Sequence, residues 1–199
     1  MSSAVTCFLD LTDLSTYAAL EPMLLLSSSD AITYLPLMVS LNSASGRKPV
    51  SQANDPLAAY KARRQSARDS FALAEHHRLV ALTRVSANSA DRHRDGDLAH
   101  RILYHMSSHA APVEVVTFIW NVMTGTFRDG MEMDDPDWLR AISGIADPQE
   151  IPDALTDHQM EQGIFKSPGW VIDGERYLGR EHLPMVRHLL TGSVDIAPV

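Results

Sequence analysis

The chain has 199 residues, of which 45% are hydrophobic, enough to bury the core of one globular domain that carries an insertion. Its 25 acidic residues outnumber its 17 lysines and arginines, so the formal net charge is −8. Such a charge disfavours binding to nucleic-acid phosphates or to anionic lipids. We therefore expect neither a nucleic acid nor a membrane as a partner.

The N-terminus and the cysteine content bear on the cellular compartment. The first residues lack the basic start and apolar run of a signal peptide, and no stretch approaches about 18 apolar residues. These features predict a cytoplasmic protein. Cys7 is the single cysteine, so the chain can form neither an internal disulfide nor a CxxC redox pair. Dithiol–disulfide exchange within the chain is thereby excluded.

The N-terminal region reads as strand, helix and strand. Residues 5–11, VTCFLDL, form a β-rich run, and Asp13 lies where an N-cap would precede the helical run LSTYAALEPMLLL. Pro22 falls inside that run and predicts a kink or an irregular turn. The run AITYLPLMV then predicts a second strand. A βαβ unit with two parallel strands follows from this order.

A polar loop and a long helical region come next. Residues 41–54 are rich in Ser, Asn, Gly and Pro, and residues 55–160 have helical periodicity almost throughout. The predicted helices have the sequences DPLAAYKARRQSARDSFALAEHHR, DGDLAHRILYHMSSH, PVEVVTFIWNVMTGTF, DPDWLRAISGIA and DALTDHQMEQGIF. We interpret this region as an all-helical insertion.

The C-terminal region returns to β-structure. In WVIDGERYL, two short β runs flank Asp173 and Gly174, a dipeptide that favours a type I′ hairpin turn. A helix is predicted over residues 181–190, closed by Gly192. The chain therefore reads βαβ, helices, ββα: an α/β thioredoxin-like fold with an all-helical domain inserted after the second strand. The predicted domains are 1–54 with 161–199, and 55–160.

Both ends of the chain resemble a known family. IFKSPGWVIDGERYLGREHLPMVRHLL is similar to the C-terminal signature of the DsbA-like group that contains 2-hydroxychromene-2-carboxylate isomerase and the kappa-class glutathione transferases. DLTDLSTYAA resembles the N-terminal signature of that group through Asp10, Tyr17 and Ala19. The resemblance implies glutathione as a cofactor, a hydrophobic small-molecule substrate and, as in relatives, a homodimer.

The resemblance places Asp13 at the first position of the active turn, where the family has serine or cysteine, and Thr16 at the second polar position. Such a turn sets a side chain at a helix N-terminus, where free N–H groups favour an anion such as a thiolate. A carboxylate there takes the N–H groups for itself. It would also repel a thiolate about 4 Å away by roughly 1 to 4 kcal/mol.

Three roles are open for this turn. Asp13 can be a stabilising N-cap in a site without thiol chemistry. It can act with Ser15 or Thr16 as an acid–base or orienting group on another substrate. Alternatively, Ser15 or Thr16 supplies the hydroxyl for ordinary glutathione chemistry. A capping carboxylate is expected to have a lowered pKa, which would make Asp13 a weak base.

The resemblance also supplies candidate glutathione-binding residues. It implies a cis bond between Ser167 and Pro168, with the backbone of Ser167, which replaces the usual valine, pairing with the cysteinyl part of glutathione. The glutamyl end would meet the segment after Gly179, and Asn88 matches a family asparagine. The residues of that segment are Arg180, Glu181 and His182. A structural turn at Pro168 and a favourable helix-start charge at Glu181 are the simpler alternatives.

Two functions follow from these observations. The first is an enzyme similar to the glutathione-linked isomerases and transferases, acting on a hydrophobic small molecule, with glutathione bound weakly because of Asp13. The second is a catalytically inactive thioredoxin-fold binding module. His105 and His109 have a spacing that metals can use, together with His100, but HExxH is absent and we expect no metal site.

Overall fold

The computed structural model describes residues 5–24, 26, 32–39, 56–86, 89 and 94–192 of the chain. The predicted loop at 41–54 lies outside the described residues. Four strands and a series of helices follow in the predicted order. They are β1 (Val5–Leu9), α1 (Leu14–Leu24), β2 (Ile32–Pro36), α2 (Pro56–Thr83), α3 (Asp97–His109), α4 (Pro112–Phe127), α5 (Pro136–Ser143), α6 (Asp153–Glu161), β3 (Gly169–Ile172), β4 (Glu175–Leu178) and α7 (Leu183–Thr191).

The strands form one sheet in the order β2-β1-β3-β4. β1 and β2 are parallel, with Val5 opposite Ile32, as the βαβ interpretation predicts. β3 runs antiparallel to both β1 and β4. The two ends of the chain therefore meet in adjacent strands, and the turn after β1 faces the segment before β3.

Both N-terminal strands end earlier than predicted. At each end, side chains form hydrogen bonds with backbone groups that would otherwise pair with a neighbouring strand. After Leu9, the Asp10 carboxylate accepts the N–H of Thr12 at 2.9 Å, which turns the chain out of the sheet. After Pro36, the buried side chain of Gln159 takes over the backbone of β2. Its amide nitrogen donates to the Pro36 carbonyl and its amide oxygen accepts the Met38 N–H, both at 2.8 Å.

The five predicted helices of the insertion are present as α2 to α6, with some different ends. α5 stops at Ser143, three residues early, because Gly144 adopts a left-handed conformation with φ 72° and closes the helix. α1 continues through Pro22 to Leu24. No helix within the described ranges is long and apolar enough to cross a membrane. The domain boundaries at 54 and 160 stay predictions.

The C-terminal hairpin has the predicted turn, since Asp173 (φ 51°) and Gly174 (φ 82°) are both left-handed as type I′ requires. The following helix differs from the prediction. Residues Arg180–His182 form a 3₁₀ turn, and α7 begins only at Leu183. Pro184 in the first turn explains this start, because a proline fits the first turn of a helix but not its interior. Gly192 closes α7 as predicted.

The main core joins the sheet to the helices. Leu9, Leu20 and Trp170 from the N- and C-terminal regions pack in one buried cluster with Leu103 and Phe118 from the insertion. The sheet and the insertion therefore share apolar surface, which fixes the insertion against the turn that carries the candidate site.

Candidate functional site

The turn between β1 and α1 is ordered by Asp10. One oxygen of its carboxylate accepts both the N–H of Thr12 and the Thr12 hydroxyl, at 2.9 and 2.6 Å. Asp13 then begins α1: its carbonyl accepts the Tyr17 N–H at 3.1 Å, and its carboxylate accepts the Ser15 N–H at 3.0 Å. Asp13 is thus the N-cap of α1, and its carboxylate satisfies backbone N–H groups that the helix itself leaves unpaired.

The environment of Asp13 changes its acidity in the direction opposite to the one expected. Burial raises the pKa of Asp13 to about 6, and the nearby Asp10 carboxylate adds to the rise. The N–H of Ser15 and the charge of Lys166 act the other way but do not outweigh burial. The predicted lowering of this pKa is therefore wrong. Capping alone would lower it, but the surrounding protein disfavours the charged form more strongly.

Thr16 and Ser167 are joined in a buried hydrogen bond. Thr16 is fully buried, and its hydroxyl oxygen lies 2.5 Å from that of Ser167. The Ser167 hydroxyl also accepts the backbone N–H of Asp10 at 2.8 Å. The Ser167–Pro168 bond is cis, as the resemblance implied. The serine at the usual valine position thus connects the active turn to the segment before β3 through its side chain.

Ser15 contributes its backbone to the turn. It is half-buried, and its N–H is the group that contacts Asp13. The hydroxyl of Thr16 is committed to Ser167. Of the three predicted catalytic residues, Asp13 is the one whose pKa lies near neutral pH.

The segment after Gly179 is occupied by contacts within the chain. Arg180 is 5% exposed and donates to the Glu75 carboxylate of α2 at 3.1 Å. Glu181 forms an ion pair with Lys166, and His182 Nδ1 lies 2.7 Å from the Leu178 carbonyl oxygen. The side chain of Arg180 is therefore directed toward the helical insertion. Glu181 binds Lys166, whose charge acts on Asp13 in the active turn.

Lys166 therefore acts electrostatically on two carboxylates. It is bound to Glu181, and its charge acts on Asp13 in the turn. Burial raises the pKa of Glu181, but the hydrogen bond and charge of Lys166 outweigh that and hold the pKa below its usual value. Asn88 lies outside the described residues.

His100 is a site residue that the sequence did not identify as one. It is 8% exposed on α3, and its Nε2 accepts the Leu11 N–H at 2.9 Å, 3.7 Å from the Asp10 carboxylate. Burial lowers the pKa of His100, and the nearby Asp10 acts against that shift. An acceptor at Nε2 requires the neutral ring with its proton on Nδ1. The insertion thus supports the active turn with an uncharged histidine.

Neither of two cavities in the described part of the chain is lined by Asp13 or Pro168. One, of about 400 Å³, lies between α3, α4 and α5 and includes His105 and His109. The other, of about 310 Å³, lies between α1, α2 and α4. Within the described ranges, no three His, Cys, Asp or Glu side chains are grouped closely enough to hold a metal ion.

Comparisons with known proteins bear on the fold. No family model matches the chain, and no curated protein matches it. Among solved structures, a 2-hydroxychromene-2-carboxylate isomerase is similar over 94% of this chain and 93% of its own, with 15% identity and a TM-score of 0.55. A probable DsbA oxidoreductase from Streptomyces coelicolor is similar over 100% of this chain and 94% of its own, with 15% identity and a TM-score of 0.57. The chain therefore has the DsbA-like thioredoxin fold that its sequence predicts.

Proposed function

We propose that the chain is an isomerase-type enzyme that transfers a proton on a hydrophobic small molecule, with Asp13 as the acid–base group. The observation that carries this proposal is the position of the Asp13 carboxylate at the start of α1, half-buried and within electrostatic reach of Asp10 and Lys166. A pKa of about 6 leaves both protonation states accessible near neutral pH, which general acid–base catalysis requires.

Lys166 would complete the chemistry. When Asp13 removes a proton from carbon, negative charge develops on the substrate, and an ammonium group close to that charge stabilises it. Lys166 is 47% exposed at its side chain and is held by Glu181, so it can turn toward a substrate without leaving a buried charge behind. Its role is then to stabilise an enolate-like or phenolate-like oxygen.

Glutathione is at best a weak ligand in this proposal. The Asp13 carboxylate already accepts the Ser15 N–H, so a thiolate would compete with a fixed negative charge for the same amides. The hydroxyl of Thr16, a candidate partner for the sulfur, is bound to Ser167. Arg180 and Glu181 are likewise engaged within the chain.

A generic proton-abstraction probe tests this function without knowledge of the natural substrate. 5-Nitrobenzisoxazole is aromatic and hydrophobic; a base removes its ring C–H proton while the N–O bond breaks, which releases a coloured cyanonitrophenolate. We expect the chain to catalyse this reaction at a rate that rises with pH through about 6. Asp13→Asn should lower the rate by about a hundredfold, since the base is lost while a cap remains.

The matched control is Asp135→Asn. Asp135 caps α5 in the same way, accepting the N–H groups of Asp137 and Trp138, but lies outside the candidate site. Equal rates in the chain and in its Asp13→Asn variant would refute the proposal. That result would favour the catalytically inactive binding module. The supporting observation is that Arg180 is paired with Glu75, and Glu181 with Lys166, within the chain.

A further inference from the structure

The pocket of about 310 Å³ between α1, α2 and α4 has walls suited to a small aromatic molecule. This volume is at the lower end of the range for small-molecule sites, and a single ring with a short side chain fits it. Trp120 lines the pocket and is 38% exposed, which leaves much of a large aromatic side chain uncovered. Leu82 and Tyr17 supply further apolar surface.

One aromatic wall of the pocket is held rigidly. The ring of Tyr17 stacks on that of the buried Phe127, with 4.9 Å between the ring centroids. The guanidinium of Arg94 lies 4.1 Å from the centroid of the Phe127 ring. Tyr17 is thus fixed by a layer beneath it, so little side-chain freedom is lost when a ligand binds.

The polar groups of the pocket favour a ligand that donates hydrogen bonds. The hydroxyls of Thr83 and Thr124 donate to the carbonyls of Leu79 and Trp120, at 2.8 and 2.6 Å. Their hydrogens are thereby used, while their oxygens can still accept. An incoming N–H or O–H group finds acceptors here, whereas an incoming acceptor does not find these hydroxyl donors.

The charges of the pocket favour a cation. Among the described residues that line it, Glu21 and Arg128 carry a charge. Both Nε and Nη2 of Arg128 donate to the Asp129 carboxylate, at 2.8 and 3.1 Å, so the negative charge of Asp129 offsets that of the guanidinium. The charge of Glu21 therefore dominates, and an indole face such as that of Trp120 also attracts ammonium groups.

We propose that this pocket binds a small aromatic amine, with its ring against Trp120 and its ammonium group toward Glu21. The site is separate from the acid–base group, because Asp13 does not line it. Tyr17 nevertheless follows Asp13 by one helical turn, about 6 Å along α1, so both sites share one helix.

The test compares two probes with the same phenylethyl body and opposite charge, 2-phenylethylamine and 3-phenylpropionate, by calorimetry and by tryptophan fluorescence at low salt. We expect saturable binding of the amine at one site per chain and about fivefold weaker binding of the acid. In Glu21→Gln, the amine and the acid should bind with similar affinities. Trp120→Leu should weaken binding of the amine by about fivefold, since the indole face is lost.

Glu161→Gln is the matched control, because it removes the same charge at an exposed position at the end of α6. It should preserve the preference for the amine, and circular dichroism checks that each variant is folded. Absence of saturable amine binding, equal affinity for both probes, or a preference that survives Glu21→Gln would overturn the proposal. Binding is read without turnover, so the result is independent of whether Asp13 is catalytic.

Discussion

The hydroxyl oxygens of Thr16 and Ser167 lie 2.5 Å apart, although the two residues are 151 positions apart in the chain. Ser167 also accepts the Asp10 N–H, so one hydroxyl joins the end of β1, the start of α1 and the cis-proline segment. The resemblance implies ligand contacts at these two positions. In this chain their hydroxyl groups instead bond to each other and connect segments of the fold.

Replacing Thr16 with valine should destabilise the protein by about 1 to 2 kcal/mol, because it leaves the buried Ser167 hydroxyl with one partner fewer. Urea unfolding of Thr16→Val, Ser167→Ala and the double variant measures the coupling between the two side chains. Thr117→Val, at an exposed position on α4, controls for the change of residue type. Strictly additive effects of the two substitutions would show that the hydroxyls do not stabilise each other.

Asp13→Ser should bind glutathione more tightly than the unaltered chain, by about fivefold or more. The substitution removes roughly 1 to 4 kcal/mol of repulsion toward the thiolate and frees the amides at the start of α1. Calorimetry above the pKa of the thiol gives both affinities. Asp135→Ser, at the cap of α5, is the control for a change in net charge. If the unaltered chain binds glutathione as tightly as Asp13→Ser, the competition between carboxylate and thiolate is refuted.

The raised pKa of Asp13 predicts a specific pH dependence of stability. Because its pKa is about 6 in the folded chain against an ordinary value of 3.8, the folded state holds the proton more tightly than the unfolded state. The contribution of Asp13 to stability is therefore full below pH 4 and is lost as the pH rises to about 6. At pH 7, Asp13→Asn should be more stable by about 3 kcal/mol, since one pKa unit corresponds to about 1.4 kcal/mol.

The free energy of unfolding of the chain and of Asp13→Asn, measured between pH 4 and pH 7, isolates this contribution. The difference between the two should grow with pH across that interval. Parallel profiles would mean that the carboxylate is as well solvated in the folded state as in the unfolded chain.

His100→Leu should cost about 1 to 3 kcal/mol, because the buried Leu11 N–H loses its acceptor. The lowered pKa of His100 also predicts that stability falls as the pH drops below about 6.5, where the unfolded histidine takes up a proton first. His100→Gln, which offers an amide oxygen, should restore part of the loss without that pH dependence. Chemical denaturation at pH 8 and pH 5 distinguishes the three chains; a pH response unchanged by either substitution would contradict the assignment.

Local patterns in the sequence were sufficient to predict the type and order of the strands and helices. The Asp173–Gly174 turn, the cap at Asp13 and the closing Gly192 all depend on neighbours within a few residues, and each is where the sequence predicts it. The start of α7 was displaced because Pro184 was not weighed as a helix-start residue.

The chemistry of the candidate site depended instead on contacts between distant residues. The pKa of Asp13 is raised mainly by burial, which no local pattern in the sequence reports. His100 reaches Leu11 across 89 positions, and Arg180 reaches Glu75 across 105. On the sequence, His100 is only a member of a group of histidines weighed for metal binding, and Arg180 only a member of a matching segment.

The side chain of Gln159 has a consequence for association between chains. β2 is an outer strand of the sheet, and outer strands present backbone groups that can pair with strands of other molecules. By bonding to Pro36 and Met38, this one amide imitates a neighbouring strand where β2 ends. The helical insertion thus shields the sheet from intermolecular strand addition there, and light scattering of Gln159→Leu on storage would reveal the loss of that protection.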